Sequence, residues 1–84
     1  MTVYKYQLPI DDRARVLMPS GAELLCVAMQ HGRVTVWARV DPSATMVTRQ
    51  FRVAGTGHPG VEGSYIGTVF PGPLVFHVFD LGEV

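Results

Sequence analysis

Eighty-four residues carry seven basic and seven acidic side chains, with 48% of the chain hydrophobic and 17% charged. That is room for one small core and no second domain, in a chain far too apolar to be disordered. The cancelled charge gives no field toward nucleic acid or an anionic membrane, so neither is expected as a partner.

Alternation of apolar and polar residues dominates, and turn formers recur at short intervals, as in an all-β domain. "TVYKYQL" places Val3, Lys5 and Gln7 on one face and Tyr4, Tyr6 and Leu8 on the other. "PIDDRA" turns the chain, "RVLMP" is a short second strand ended by Pro19, and "PSGAE" is the next turn. Ala22 to Val40 reads as a hairpin with His31 and Gly32 at the centre of a two-residue turn, which requires positive φ at both. That register sets Leu25 opposite Ala38, Val27 opposite Val36 and Met29 opposite Val34 on an apolar face. The other face pairs Leu24 with Arg39, Cys26 with Trp37, Ala28 with Thr35 and Gln30 with Arg33.

"DPSAT" makes a longer connection to "MVTRQFRVA", where Val47, Arg49, Phe51 and Val53 oppose Thr48, Gln50 and Arg52. A glycine-rich loop, "SYIGTVF", the tight "PGP" and a last strand "LVFHVFDL" complete the chain. Six or seven mostly antiparallel strands in residues 1–84 give a single-domain β-sandwich or a partly open barrel. No stretch is long enough for a useful helix or a membrane-spanning one, and no targeting leader is recognised at the N-terminus. A soluble protein of a reducing compartment, the cytoplasm, is expected, with the single Cys26 a small buried thiol in its apolar run. The apolar excess points to a homo-oligomer.

Five of the nine glycines fall between Phe51 and Gly67. In "GTGHPG" the glycines would let successive amides point into one concavity, with Thr56 and His58 at its rim. The segment is neither a P-loop nor a dinucleotide fingerprint, and a wide turn shaped by its glycines and Pro59 explains the same spacing. No serine stands in a nucleophile setting. His58 and His77 could form a general-base pair oriented by Asp80 or Asp41, yet nothing requires it, so no catalytic residue is assigned. Three wide-spaced histidines and one cysteine match no metal pattern, and "HVFD" sets His77 and Asp80 on opposite strand faces. Trp37, with Thr35 and Gln30, could stack a planar ring while Arg39 or Arg52 holds an anionic group; the same set also builds a protein interface.

"MPSGAELLCVAMQHG", "VWARVDP", "FRVAGTGHP", "YIGT" and "LVFHVFD" together resemble a family of short, mostly uncharacterised bacteriophage and prophage proteins, with likeness from Tyr4 to Asp80. Proteins of this type commonly act on host defence, by sequestering a nucleotide signal or by blocking a host protein. If the repeated residues line a pocket, the resemblance implies Trp37, Asp41, Arg52, Thr56, Gly57, His58, Tyr65 and His77 as its walls. The expectation is a cofactor-free, non-catalytic accessory protein in the host cytoplasm that binds a small anionic, nucleotide-like ligand. The alternative is a protein-binding module that inhibits a host protein or serves as a phage structural accessory.

Overall fold

The computed structural model describes residues 1–84. The alternation becomes seven strands and no helix: β1 (Thr2–Gln7), β2 (Ala14–Pro19), β3 (Glu23–Gln30), β4 (Arg33–Val40), β5 (Met46–Gly55), β6 (Ser64–Val69) and β7 (Phe76–Glu83). They form two antiparallel sheets, β1-β4-β3 and β2-β5-β7-β6, which face each other and do not close into a barrel. With no helix, none is long and apolar enough to cross a membrane.

The β3–β4 hairpin turns at His31 (φ 51) and Gly32 (φ 73), the two positive angles its two-residue loop requires. Pairing follows the expected register from Gln30 opposite Arg33 to Cys26 opposite Trp37. Beyond that, a bulge at Leu25 sets Leu24 opposite Ala38 and Glu23 opposite Arg39, correcting the expected Leu25–Ala38 and Leu24–Arg39 pairs. The extra residue turns Leu24 toward the core and leaves Leu25 outside, 44% exposed. It also brings Glu23 under Arg39, whose Nη2 and Nε donate to Oε1 at 2.6 and 2.9 Å.

The core lies between the sheets and is built from alternate strand positions. Val34, Val36, Ala38 and Val40 of β4 meet Met18 of β2, Phe51 and Val53 of β5, Val69 of β6 and Val78 of β7. Each fully buried Val, Met or Phe is worth about 1.5–3 kcal/mol, which suffices for a domain this small only because so many converge. Where the edge strands β3 and β6 pack together, β6 is bulged between Tyr65 and Gly67. A Cβ on Gly67 would lie 2.7 Å from Val27 Cγ1, so glycine lets the sheets close along this edge.

Cys26 is exposed, contrary to the expected buried thiol, because alternation sets it beside Trp37 on the outer surface of the hairpin. Over that surface Lys5 Nζ donates to Gln30 Oε1 at 2.8 Å, and Thr35, on the strand between them, is fully buried. The last strand begins at Phe76 and not at Leu74, because the Leu74 amide closes a turn onto the Pro71 carbonyl. It runs on to Glu83 through a bulge at Leu81, which lets Gly82 and Glu83 pair with Gln50 and Arg49.

Candidate functional site

The outer surface of the four-stranded sheet carries a connected row of polar side chains. Pairing sets Ala54 of β5 and Thr68 of β6 on either side of His77, and Arg52 and Tyr65 on either side of Phe79. His77 Nε2 lies 2.7 Å from Thr56 Oγ1, and its Nδ1 lies 3.0 Å from Thr68 Oγ1, which in turn lies 2.6 Å from the Tyr65 hydroxyl. The Tyr65 and Phe79 rings pack at 5.6 Å between centroids in a tilted arrangement. Four hydrogen-bonding groups thus form a continuous chain, with Thr56 at one exposed end and Tyr65 at the other.

Above this row folds the loop from Thr56 to Gly63. Its reversal needs the left-handed backbone of Gly57 (φ 91), Gly60 (φ 70) and Gly63 (φ 94). Arg52 ties the loop down, donating from Nη1 to the Gly60 carbonyl at 2.8 Å and from Nη2 to the Pro59 carbonyl at 3.1 Å. The His58 amide closes a turn onto Gly55 O, and the His58 ring rests against Gly55, where a Cβ would lie 3.3 Å from its Cε1. The amides of Thr56, Gly57 and Gly60 find no acceptor within the protein. A hollow of about 180 Å³ opens between loop and sheet, lined by Thr56, Gly57, His58, Val61, His77 and Phe79 among others. On the other side of Thr56 and His58 runs a wider groove of about 440 Å³, walled by Pro73, Leu74 and Phe76.

Of the residues singled out from the sequence, Thr56, Gly57, His58 and His77 share this hollow, and Tyr65 joins it through Thr68. Arg52 lies beside it, with each terminal nitrogen donating to a loop carbonyl, and its Nε, 3.6 Å from Asp12 Oδ1, is buried without a hydrogen bond. Trp37 and Arg39 lie on the outer surface of the other sheet, because β4 and β5 belong to different sheets. The pocket combining Trp37 with Arg52 and His58 is therefore not formed within one chain. Asp41 sits in the crossover from β4 to β5, where it accepts from the Ser43 amide and hydroxyl. Those two bonds hold its carboxyl below the usual range.

Neither aspartate weighed as a histidine orienter reaches an imidazole. Asp80, on the inner side of β7, accepts from Arg49 Nε at 3.0 Å and Nη2 at 2.6 Å, and from the Gly82 amide at 2.8 Å. Burial alone would raise the Asp80 pKa, but the Arg49 bonds, the Gly82 amide and the guanidinium charge outweigh it and hold the carboxyl below its usual value. Arg49 also donates from Nη1 to the Ala22 carbonyl, and Glu83 ties the same end of the sandwich to Ser20 Oγ and the Gly21 amide. Sequence reasoning overlooked this pair, although Arg49 between Val47 and Phe51 on the apolar face of β5 was a signal for it. The role of Thr68 was also overlooked, since β6 pairs with β7 through a bulge that shifts which residue meets His77.

Taken together, the chain is a small all-β domain of two facing sheets, with a hollow carrying hydroxyl and imidazole groups where a glycine-rich loop covers the outer surface of the larger sheet. It belongs to the family described as a domain of unknown function, DUF7352, which matches residues 1–83. Neither the curated proteins nor the solved structures contain a significant match.

Proposed function

We propose that this domain is a non-catalytic binding protein that captures a small anionic, nucleotide-like ligand in the hollow beneath the Thr56–Gly63 loop. The observation that carries the reading is the meeting, at one cavity, of the Thr56 hydroxyl, the imidazoles of His58 and His77 and a loop whose Thr56 and Gly57 amides are unpaired. Free amides and hydroxyls suit phosphate or carboxylate oxygens. Val61 and the Phe79 face offer apolar surface to a ring. The likeness of the sequence to short phage proteins supports a role in the host cytoplasm, where sequestering a nucleotide signal would blunt a defence response.

Titration with cyclic and ADP-ribose-type nucleotides tests the reading. A saturable heat and a rise in melting temperature, both lost in Thr56→Val, are expected; no heat and no shift with any of them would reject it. A second reading, a module that docks on a host protein, draws support from Tyr65, Phe70 and Leu74, which are 60%, 66% and 54% exposed. Recovery of a stoichiometric protein partner from host lysate, lost in Tyr65→Ala but retained in Thr56→Val, would favour it.

A further inference from the structure

An anion needs a counter-charge, and no lysine or arginine lines this hollow. Arg52 lies beside the hollow and gives one hydrogen bond from each terminal nitrogen to the Gly60 and Pro59 carbonyls, and Arg13 lies with Gly60 and Glu62 in the neighbouring hollow. The groups left to carry positive charge at the hollow are His58 and His77. Of these, His77 is wired by hydrogen bonds on both ring nitrogens.

The hydrogens of that chain can be counted. A neutral imidazole donates from one nitrogen and accepts at the other. With the proton on Nδ1, the Thr56 hydroxyl must donate to Nε2 and has no hydrogen for a ligand. With the proton on Nε2, Thr56 accepts from the ring, and its own hydrogen is free to point away from the ring. When both nitrogens are protonated, Thr56 and Thr68 each accept from the ring, the Thr56 hydrogen turns outward, and either Thr68 or Tyr65 donates in the bond between them. Only this last state combines a free Thr56 donor with a full positive charge behind it.

No carboxylate stands beside the His77 ring on the elements packed against it, and the nearest cation is Arg52 on the neighbouring strand. On the strands flanking His77, the outward residues are Gln50, Arg52 and Ala54 of β5 and Tyr65 and Thr68 of β6; Phe79 follows on β7 itself. None of these is acidic. From the loops, His58 faces the same hollow, while Asp12 and Glu62 lie with Arg13 on the far side of Arg52, lining a separate polar hollow. Asp80 is turned to the inner side and held by Arg49.

We infer that the site binds an oxyanion together with one proton, taken up at His77 and presented to the ligand through the Thr56 hydroxyl. The inference rests on the binding reading above and adds its determinant: the ligand is recognised through a phosphate, sulfate or carboxylate oxygen, and affinity falls as pH rises. A single linked proton makes that fall as steep as about tenfold per pH unit above the imidazole range.

Sulfate is a suitable probe because its own charge is constant where imidazole titrates. We would follow the Thr56 and Gly57 amides and the His77 ring by NMR during sulfate titration of the whole chain at about pH 5.5 and about pH 8. The expected result is saturable binding at least about tenfold tighter at the lower pH. His77→Gln should abolish the pH dependence, His58→Gln should preserve it, and Thr56→Val should weaken binding at the lower pH while leaving the His77 ring titratable. Equal affinity at both pH values would overturn the proton coupling and leave the binding reading standing. No saturable sulfate binding at either pH would overturn the oxyanion inference, the binding reading itself falling only with the nucleotides, and a pH dependence that survives His77→Gln but is lost in His58→Gln would overturn the assignment to His77.

Discussion

Two polar networks share the larger sheet, one on each side. On the inner side, Arg49, Asp80 and Glu83 close one end of the sandwich: Arg49 donates to the Asp80 carboxylate and the Ala22 carbonyl, and Glu83 accepts from the Gly21 amide. On the outer side, the chain from Thr56 through His77 and Thr68 to Tyr65 has hydroxyls at both ends still able to bond a guest. The residue types overlap in chemistry, but the heart of the first network is an Arg49–Asp80 pair bonded on both sides and largely buried, with side chains 13% and 15% exposed. Saturation marks a structural role, because a satisfied group has nothing to offer a ligand and a buried one is costly to disturb. An open-ended network at a cavity contributes less to stability and more to recognition.

The comparison breaks most visibly through the inner pair. Arg49→Met leaves a mostly buried carboxylate without its partner, at a cost on the order of 3 kcal/mol. Thermal unfolding should show a Tm fall of more than about 10 °C for a domain of this size. His77→Gln, by contrast, should move the Tm by no more than a few degrees; a larger loss there than in Arg49→Met would reverse the assignment of roles.

Next in size is Gly63, which joins the two regions. Its φ is 94, and a Cβ there would come within 2.5 Å of the Asp80 carbonyl oxygen. Gly63→Ala combines left-handed strain with a clash against backbone and should cost roughly 2 kcal/mol. Hydrogen exchange should then show faster opening of the loop and of the β6–β7 pairing together.

Acid separates the networks further. The depressed folded pKa of Asp80 contributes stability that is fully present above the unfolded carboxylate value of about 3.9 and is lost as pH falls through the folded one. Chemical denaturation across that acid range should show stability declining in the parent and a shallower decline in Asp80→Asn, which starts lower. The smallest effect is expected from Thr68→Val, below about 1 kcal/mol since its hydroxyl is close to the surface. Its signature is a changed tautomer balance of His77, read from ring nitrogen shifts, without loss of fold.

Much of the architecture was legible because strand alternation is a local property. The inward set Val34, Val36 and Ala38 and the opposite faces of His77 and Asp80 follow from period two, and the turn at His31 and Gly32 from the positive φ that a two-residue hairpin loop needs. What alternation does not encode is which strands pair. β1 pairs with β4 and β2 with β5, so Trp37 and Arg52, close in sequence terms, end on opposite outer surfaces. Bulges were hidden for the same reason: Leu25 looks like any inward leucine until Leu24 takes its place against Ala38. In the site, Thr56, Gly57, His58 and His77 were legible as residue types suited to a ligand, whereas Arg52's commitment to its own loop depends on a fold-over that spacing does not reveal.

The central claim, that recognition belongs to the open network and not to the Trp37 surface, is tested most directly by two-dimensional NMR during titration with ADP-ribose. The account predicts that the Thr56 and Gly57 amides and the His77 ring shift in a saturable manner while the Trp37 indole signal stays in place. Movement of the Trp37 indole with the loop signals unchanged would contradict it.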